Sequence, residues 1–158
     1  MRPYQIFASM EAAEAEHFFN GLAEGAAAMY QQMVHAAASA MKARPGYVAK
    51  LSATKKAAAM RRSLARVGAD SIAEEMLAIY FLAVKKELLT TWLDAIGLEH
   101  EDGTLKEDAP PEPDEKKLVS CVKAFRKGDE ASDRELLLKA FAAQGSINWP
   151  KLDELIGS

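Results

Sequence analysis

Lys55, Lys56, Arg61, Arg62 and Arg66 are the side chains of this 158-residue chain whose types and spacing could act together. They lie in AKLSATKKAAAMRRSLARVG (residues 49–68), which holds no acid. The acid-free zone is wider still: Gly25 to Ala69 carries eight Lys/Arg and no Asp or Glu. At about 100° per residue, Ala53, Ala57, Met60, Leu64 and Val67 share one helical stripe. Lys55, Arg62 and Arg66 fall on the opposite side, with Lys56 and Arg61 flanking them. Such a ridge could neutralise phosphates, each contact steepening the dependence of binding on salt. The stretch offers no aromatic for base stacking and no Asn or Gln for adenine readout. The plainer reading, and the favoured one, is a solvated face or a face paired with the acidic 99–115 segment of the same chain.

Other constellations fail on their own requirements. A helix-turn-helix around Gly68 wants a small residue four positions earlier and an apolar one about six later, where Leu64 and Glu74 stand. Its reading helix would open on Asp70, Glu74 and Glu75, which phosphates repel. Glu14 and His17 have the Glu-x-x-His spacing of di-iron bundles, but those sites need the motif twice, and neither His35 nor His100 supplies it. A calcium loop aligned on Gly103 would put Leu98 and Ala109 where Asp and Glu are required, so Asp102-Gly103 reads as a turn. Cys121 shares a face with Leu118, Val122 and Phe125 and reads as a buried small hydrophobe. With three His and one Cys, no nucleophile-and-base set assembles, and no catalytic residue, metal or cofactor is expected.

The elements that would position these residues are helical. Thirty alanines favour helix over strand, and Tyr47–Leu51 is the longest strand candidate. Ser9 reads as the cap of a helix from Met10, with three-and-four apolar spacing running to Met41 and a break suggested at Asn20-Gly21 or Gly25. Arg44-Pro45-Gly46 is a stop. Ser52 caps a helix over about 53–67 that ends at Gly68. Ser71-Ile-Ala-Glu74 is a capping box for a helix running to Ile96, with Gly97 as its stop. Its centre, MLAIYFLAV, is apolar all round but too short to span a membrane. Residues 97–113 hold six acids, three Pro and two Gly and read as loop or linker. Three short helices follow, over about 114–127, from a second capping box at Ser132 to Glu135, and over about 149–156 behind Asn148.

The expectation is an all-α fold: a helical bundle core at 9–97, an acidic Pro-containing linker at 98–113, and a small helical C-terminal segment at 114–157. Net charge is −3 overall but splits into +5 over residues 1–69 and −8 over the rest. With no leader-like N-terminus and a single Cys, the chain reads as soluble and cytoplasmic, with no membrane partner. The expected role is non-catalytic, a protein that binds a partner or itself as a homodimer, because small residues at Gly21, Gly25, Ala28 and the Ala36–Ala38 and Ala57–Ala59 runs permit close helix approach. Nucleic-acid binding through the Lys55/Arg62/Arg66 ridge is the alternative. A second alternative is an enzyme or ligand carrier with an inter-helix pocket near Tyr30, Tyr80 and Trp92.

Overall fold

The computed structural model describes residues 1–157 and is all-α apart from one two-residue-per-strand hairpin. The chain forms two compact units, one of Arg2–Val84 and one from Lys85 onward. The division therefore falls inside the segment expected as one helix to Ile96, and the expected core at 9–97 ends thirteen residues early. No Gly or Pro marks the break, and a run apolar on every side carries no periodic signal of one.

The first unit contains α1 (Pro3–Ser9), α2 (Ala12–Gly25), α3 (Ala27–Ala40), α4 (Pro45–Ala49), α5 (Ala53–Leu64) and α6 (Asp70–Ile79). A 3-10 turn at Val67–Ala69 leads into α6, and a π turn at Tyr80–Val84 follows it. Ser9 closes α1 instead of opening the next helix, because Pro3 presets an earlier start. The capping box of α2 belongs to Glu11 and Glu14. The break between α2 and α3 falls at Ala26 (φ −145°, ψ 57°), directly after Gly25, while Gly21 stays helical. Tyr47–Ala49 is helical, since Pro45 sets the first turn of α4. The core is aromatic: Phe7 meets Phe18 edge-on at 5.3 Å, and Phe18 meets Tyr80 at 4.4 Å.

Close approach in this unit depends on missing side chains. A Cβ at Gly21 would lie 3.0 Å from Tyr80 Cε2 and 3.3 Å from Val84 Cγ1, and one at Gly25 would lie 2.8 Å from Val84 Cγ2. The two glycines, one helical turn apart, form the groove in α2 into which the π turn seats. Ala37, Ala38, Ala57 and Ala59 are buried, so these small residues serve contacts inside the chain. Asp70, not Ser71, opens α6, because the 3-10 turn already places Asp70 in helical geometry. Its carboxylate takes the Arg2 guanidinium at 2.8 Å and the Tyr4 amide at 3.1 Å. Burial draws the Asp70 pKa up, but those hydrogen bonds and the Arg2 charge outweigh it and hold the carboxyl below the ordinary range.

The second unit contains α7 (Lys86–Ala95), β1 (His100–Glu101), β2 (Thr104–Leu105), α8 (Glu115–Arg126), α9 (Ala131–Ala143) and α10 (Pro150–Gly157). Gly97 (φ 75°) ends α7 as expected, with Leu98 N–H returning to the Leu93 carbonyl at 3.0 Å. The acidic segment is not a bare linker. Its strands pair antiparallel, His100 with Leu105 and Glu101 with Thr104, around an Asp102-Gly103 turn with both residues at positive φ. Its later part is tied down: Trp149 Nε1–H donates to the Pro110 carbonyl at 2.8 Å, and one Glu112 oxygen accepts the Lys151 and Leu152 amides at 3.0 and 3.2 Å. Glu112 thus caps α10 from outside it.

Asp114 caps α8 through the Lys117 amide at 2.7 Å. The Ser132 box does not form, because α9 starts two residues earlier than that cap would place it, at Ala131 behind Glu130 at φ 60°. Trp92 packs edge-on against Phe125 and Phe141 at 5.3 and 5.8 Å. It is fully buried, and its Nε1–H has no acceptor among the described residues. Lys85 pairs with Glu130 at 2.8 Å and with the buried Asp133 at 3.5 Å. The Glu130 hydrogen bond leads in raising its pKa, with burial opposing and Asp133 adding to the rise.

Candidate functional site

The ridge forms on α5, and Ser52 caps that helix as expected, its hydroxyl accepting the Lys55 amide at 3.3 Å. The buried side is Ala57, Ala59, Met60 and Leu64. Ala53 and Val67 are exposed, Val67 because α5 ends at Leu64 and the chain turns away. Lys55, Arg62 and Arg66 are exposed, and Lys56 and Arg61 are half-buried.

Arg61 differs from its neighbours. Its guanidinium donates to the Phe7 and Ala8 carbonyls at 3.1 and 3.4 Å, satisfying the end of α1. It is a structural cation, and the even helical spacing could not distinguish it. Arg62 reaches only a carbonyl of its own helix, at 3.4 Å. Of the eight cations between Lys42 and Arg66, none forms an ion pair with a carboxylate among the described residues. Of the twelve Lys and Arg elsewhere, five pair: Arg2 with Asp70, Lys85 with Glu130, Lys86 with Asp102, Arg126 with Glu135, and Lys151 with Glu115 and Glu154. Of the acids expected to screen the ridge, Asp102, Glu112 and Glu115 find partners in their own unit.

Three more of the eight cations flank α4, Lys42 and Arg44 before it and Lys50 after it. The end of α3 and α4 border an open surface cleft lined by Lys42, Ala43, Arg44, Gly46, Tyr47 and Lys50. Val48, fully buried, anchors α4, and this turns Tyr47 outward with 58% of its surface exposed. Lys42, Arg44 and Lys50 are also exposed. The backbone at Lys42 is left-handed (φ 54°). Lys42 N–H returns to the Ser39 carbonyl at 3.1 Å and Ala43 N–H to the Ala38 carbonyl at 2.9 Å, the bonding that usually places Gly where Lys42 stands. The signal available in the sequence is Tyr47 between Arg44 and Lys50, in a stretch whose Tyr and Val also make it the longest strand candidate.

No protein-family model, curated protein or solved structure matches the chain.

The remaining sequence candidates are accounted for locally. Glu14 closes the α2 capping box through the Glu11 amide at 3.2 Å. His17 is exposed, and no His/Cys/Asp/Glu cluster among the described residues could hold a metal ion. Cys121 is half-buried and its thiol reaches the Ala95 carbonyl at 3.3 Å. Tyr80 and Trp92 are each wholly buried in the core of their own unit. One acid–histidine pair carries no motif in the sequence, His100 Nε2 to Asp94 at 2.7 Å. The Gly103 amide points at His100 Nδ1 at 3.1 Å, which assigns the ring proton to Nε2 and uses both nitrogens to hold the hairpin. No helix among the described residues is long and apolar enough to cross a membrane.

Proposed function

We propose that this chain is a non-catalytic binding protein whose docking face is the basic surface of residues 42–66 and whose partner is polyanionic. The observation that carries it is the concentration of eight cations into one acid-free run of the sequence, from Lys42 to Arg66, with no ion pair to a carboxylate among the described residues. Of the twelve cations elsewhere, five (Arg2, Lys85, Lys86, Arg126 and Lys151) meet carboxylates. Seven of the eight are left for an outside partner once Arg61 is assigned to α1. Clustered positive charge attracts an opposite partner even when the whole chain is mildly acidic. A cytoplasmic setting goes with this reading, since the chain holds a single thiol and no disulfide.

Retention on heparin-agarose at low salt tests it. The wild type should bind at about 50 mM salt and elute as salt rises, and Arg62→Glu should elute earlier. Flow-through of the wild type at that salt, or identical elution of both proteins, would reject the reading.

A further inference from the structure

We infer that the cleft between α3 and α4 is a single-stranded nucleic-acid site, with Tyr47 stacking on a base and Lys42, Arg44 and Lys50 neutralising the flanking phosphates. This rests on the polyanion reading and narrows it to one class of ligand. Three observations converge on it. The depression is open at the surface, as a continuous strand requires, and three cations and one aromatic ring line it. Its one aromatic ring is held outward by the anchoring of Val48 beside it, so the exposure of Tyr47 follows from how α4 is seated. Finally, a lysine occupies a left-handed turn position at the rim where glycine would be unstrained, so the backbone holds a cation there against its own preference.

The combination selects the ligand. An acidic peptide or a sulfated sugar would use the three cations but gives the ring no extended π face to cover. A duplex keeps its base faces stacked inside, so Tyr47 would contribute nothing to binding it. An unpaired strand presents both a phosphate track and free base faces, and base–aromatic stacking does not depend on the identity of the base. Arg44 and Lys50 stand three residues to either side of Tyr47, which brackets a stacked base with charge on both sides.

Fluorescence anisotropy with a labelled oligo(dT) strand of about 12 nucleotides tests the inference. An unlabelled duplex of equal length and poly-glutamate serve as competitors. Tyr47→Ala should lose roughly tenfold or more in affinity for the strand while leaving the slope of log K against log salt unchanged, because a stack releases no counterion. Tyr47→Phe should keep wild-type affinity. Lys50→Ala should lower the slope by about 0.7, the single-strand value for one phosphate contact. Equal binding of the strand by wild type and Tyr47→Ala overturns the stacking site, even if heparin retention still supports the broader polyanion reading. Competition by duplex or poly-glutamate as effective as by the unlabelled single strand overturns it too, in favour of a purely electrostatic face. No heparin retention and no strand binding together remove both proposals.

Discussion

Replacing Lys42 with glycine should make the protein more stable and a weaker binder at once. Lys42 occupies the left-handed position after α3 at φ 54°, and Gly97 occupies the same position after α7 at φ 75°. The two ends share one bonding pattern, with Lys42 returning to Ser39 and Ala43 to Ala38, as Gly97 returns to Asp94 and Leu98 to Leu93. An L-residue in that backbone region costs about 1–2 kcal/mol that glycine does not. Against this, glycine frees the unfolded chain by roughly 0.4–1 kcal/mol. The Lys42 side chain is exposed and forms no ion pair among the described residues, so little else is lost. The net gain is about 0.5–1 kcal/mol, or a urea midpoint raised by about 0.3–0.5 M at a slope near 2 kcal/mol/M. Far-UV circular dichroism is the suitable probe, since Trp92 and Trp149 both lie in the unit from Lys85 onward. Binding should move the other way: one lost phosphate contact reduces single-strand affinity about eightfold at about 50 mM salt and about fourfold at about 150 mM. A midpoint that falls would refute the strain argument. An unchanged affinity would remove Lys42 from the site.

Three further outcomes follow from the geometry. Asp70→Asn should cost about 1 kcal/mol at neutral pH by loosening α1 from α6. Because the Asp70 carboxyl is held below its ordinary value, its contribution is complete above about pH 4 and is lost as pH falls through the lowered value, so urea curves of variant and parent should converge in acid. Glu112→Ala should lower stability by about 1–2 kcal/mol through the uncapped start of α10, with Glu112→Gln recovering most of it, as read from tryptophan-monitored melts. Trp92→Phe should cost roughly 1–3 kcal/mol less than Trp149→Phe in urea unfolding. Both rings are buried, but only Trp149 donates to an acceptor, and its loss leaves the Pro110 carbonyl unpaired.

What the sequence made legible were features set by a few adjacent residues. Ser52 before an apolar-striped helix, Gly97 after one, and Asp102-Gly103 as a turn all act within a span of about one helical turn, and all three appear where expected. Features set across the chain were illegible. The Ser71 and Ser132 boxes failed because upstream geometry, a 3-10 turn in one case and Glu130 in the other, started each helix early. The break after Val84 depends on the seating of Tyr80 and Val84 against Gly21 and Gly25, some sixty residues away. The basic ridge was visible as a helical pattern, but which of its cations was already used was not. Arg61 is separated from its acceptors at Phe7 and Ala8 by more than fifty positions. Tyr47 joined the site only once Pro45 had turned its segment into helix.

The groove that Gly21 and Gly25 cut in α2 also constrains how this sequence can change. Position 84 fills the space above both glycines, and the Tyr80 ring closes over Gly21. Helix propensity alone favours alanine at position 21 by about 1 kcal/mol, so drift pushes steadily toward a side chain there. Such a change becomes tolerable when the facing residue shrinks first. Relatives that carry alanine at 21 or 25 should therefore carry alanine or glycine at 84, and the three positions should vary as a linked set while the surface around them varies freely.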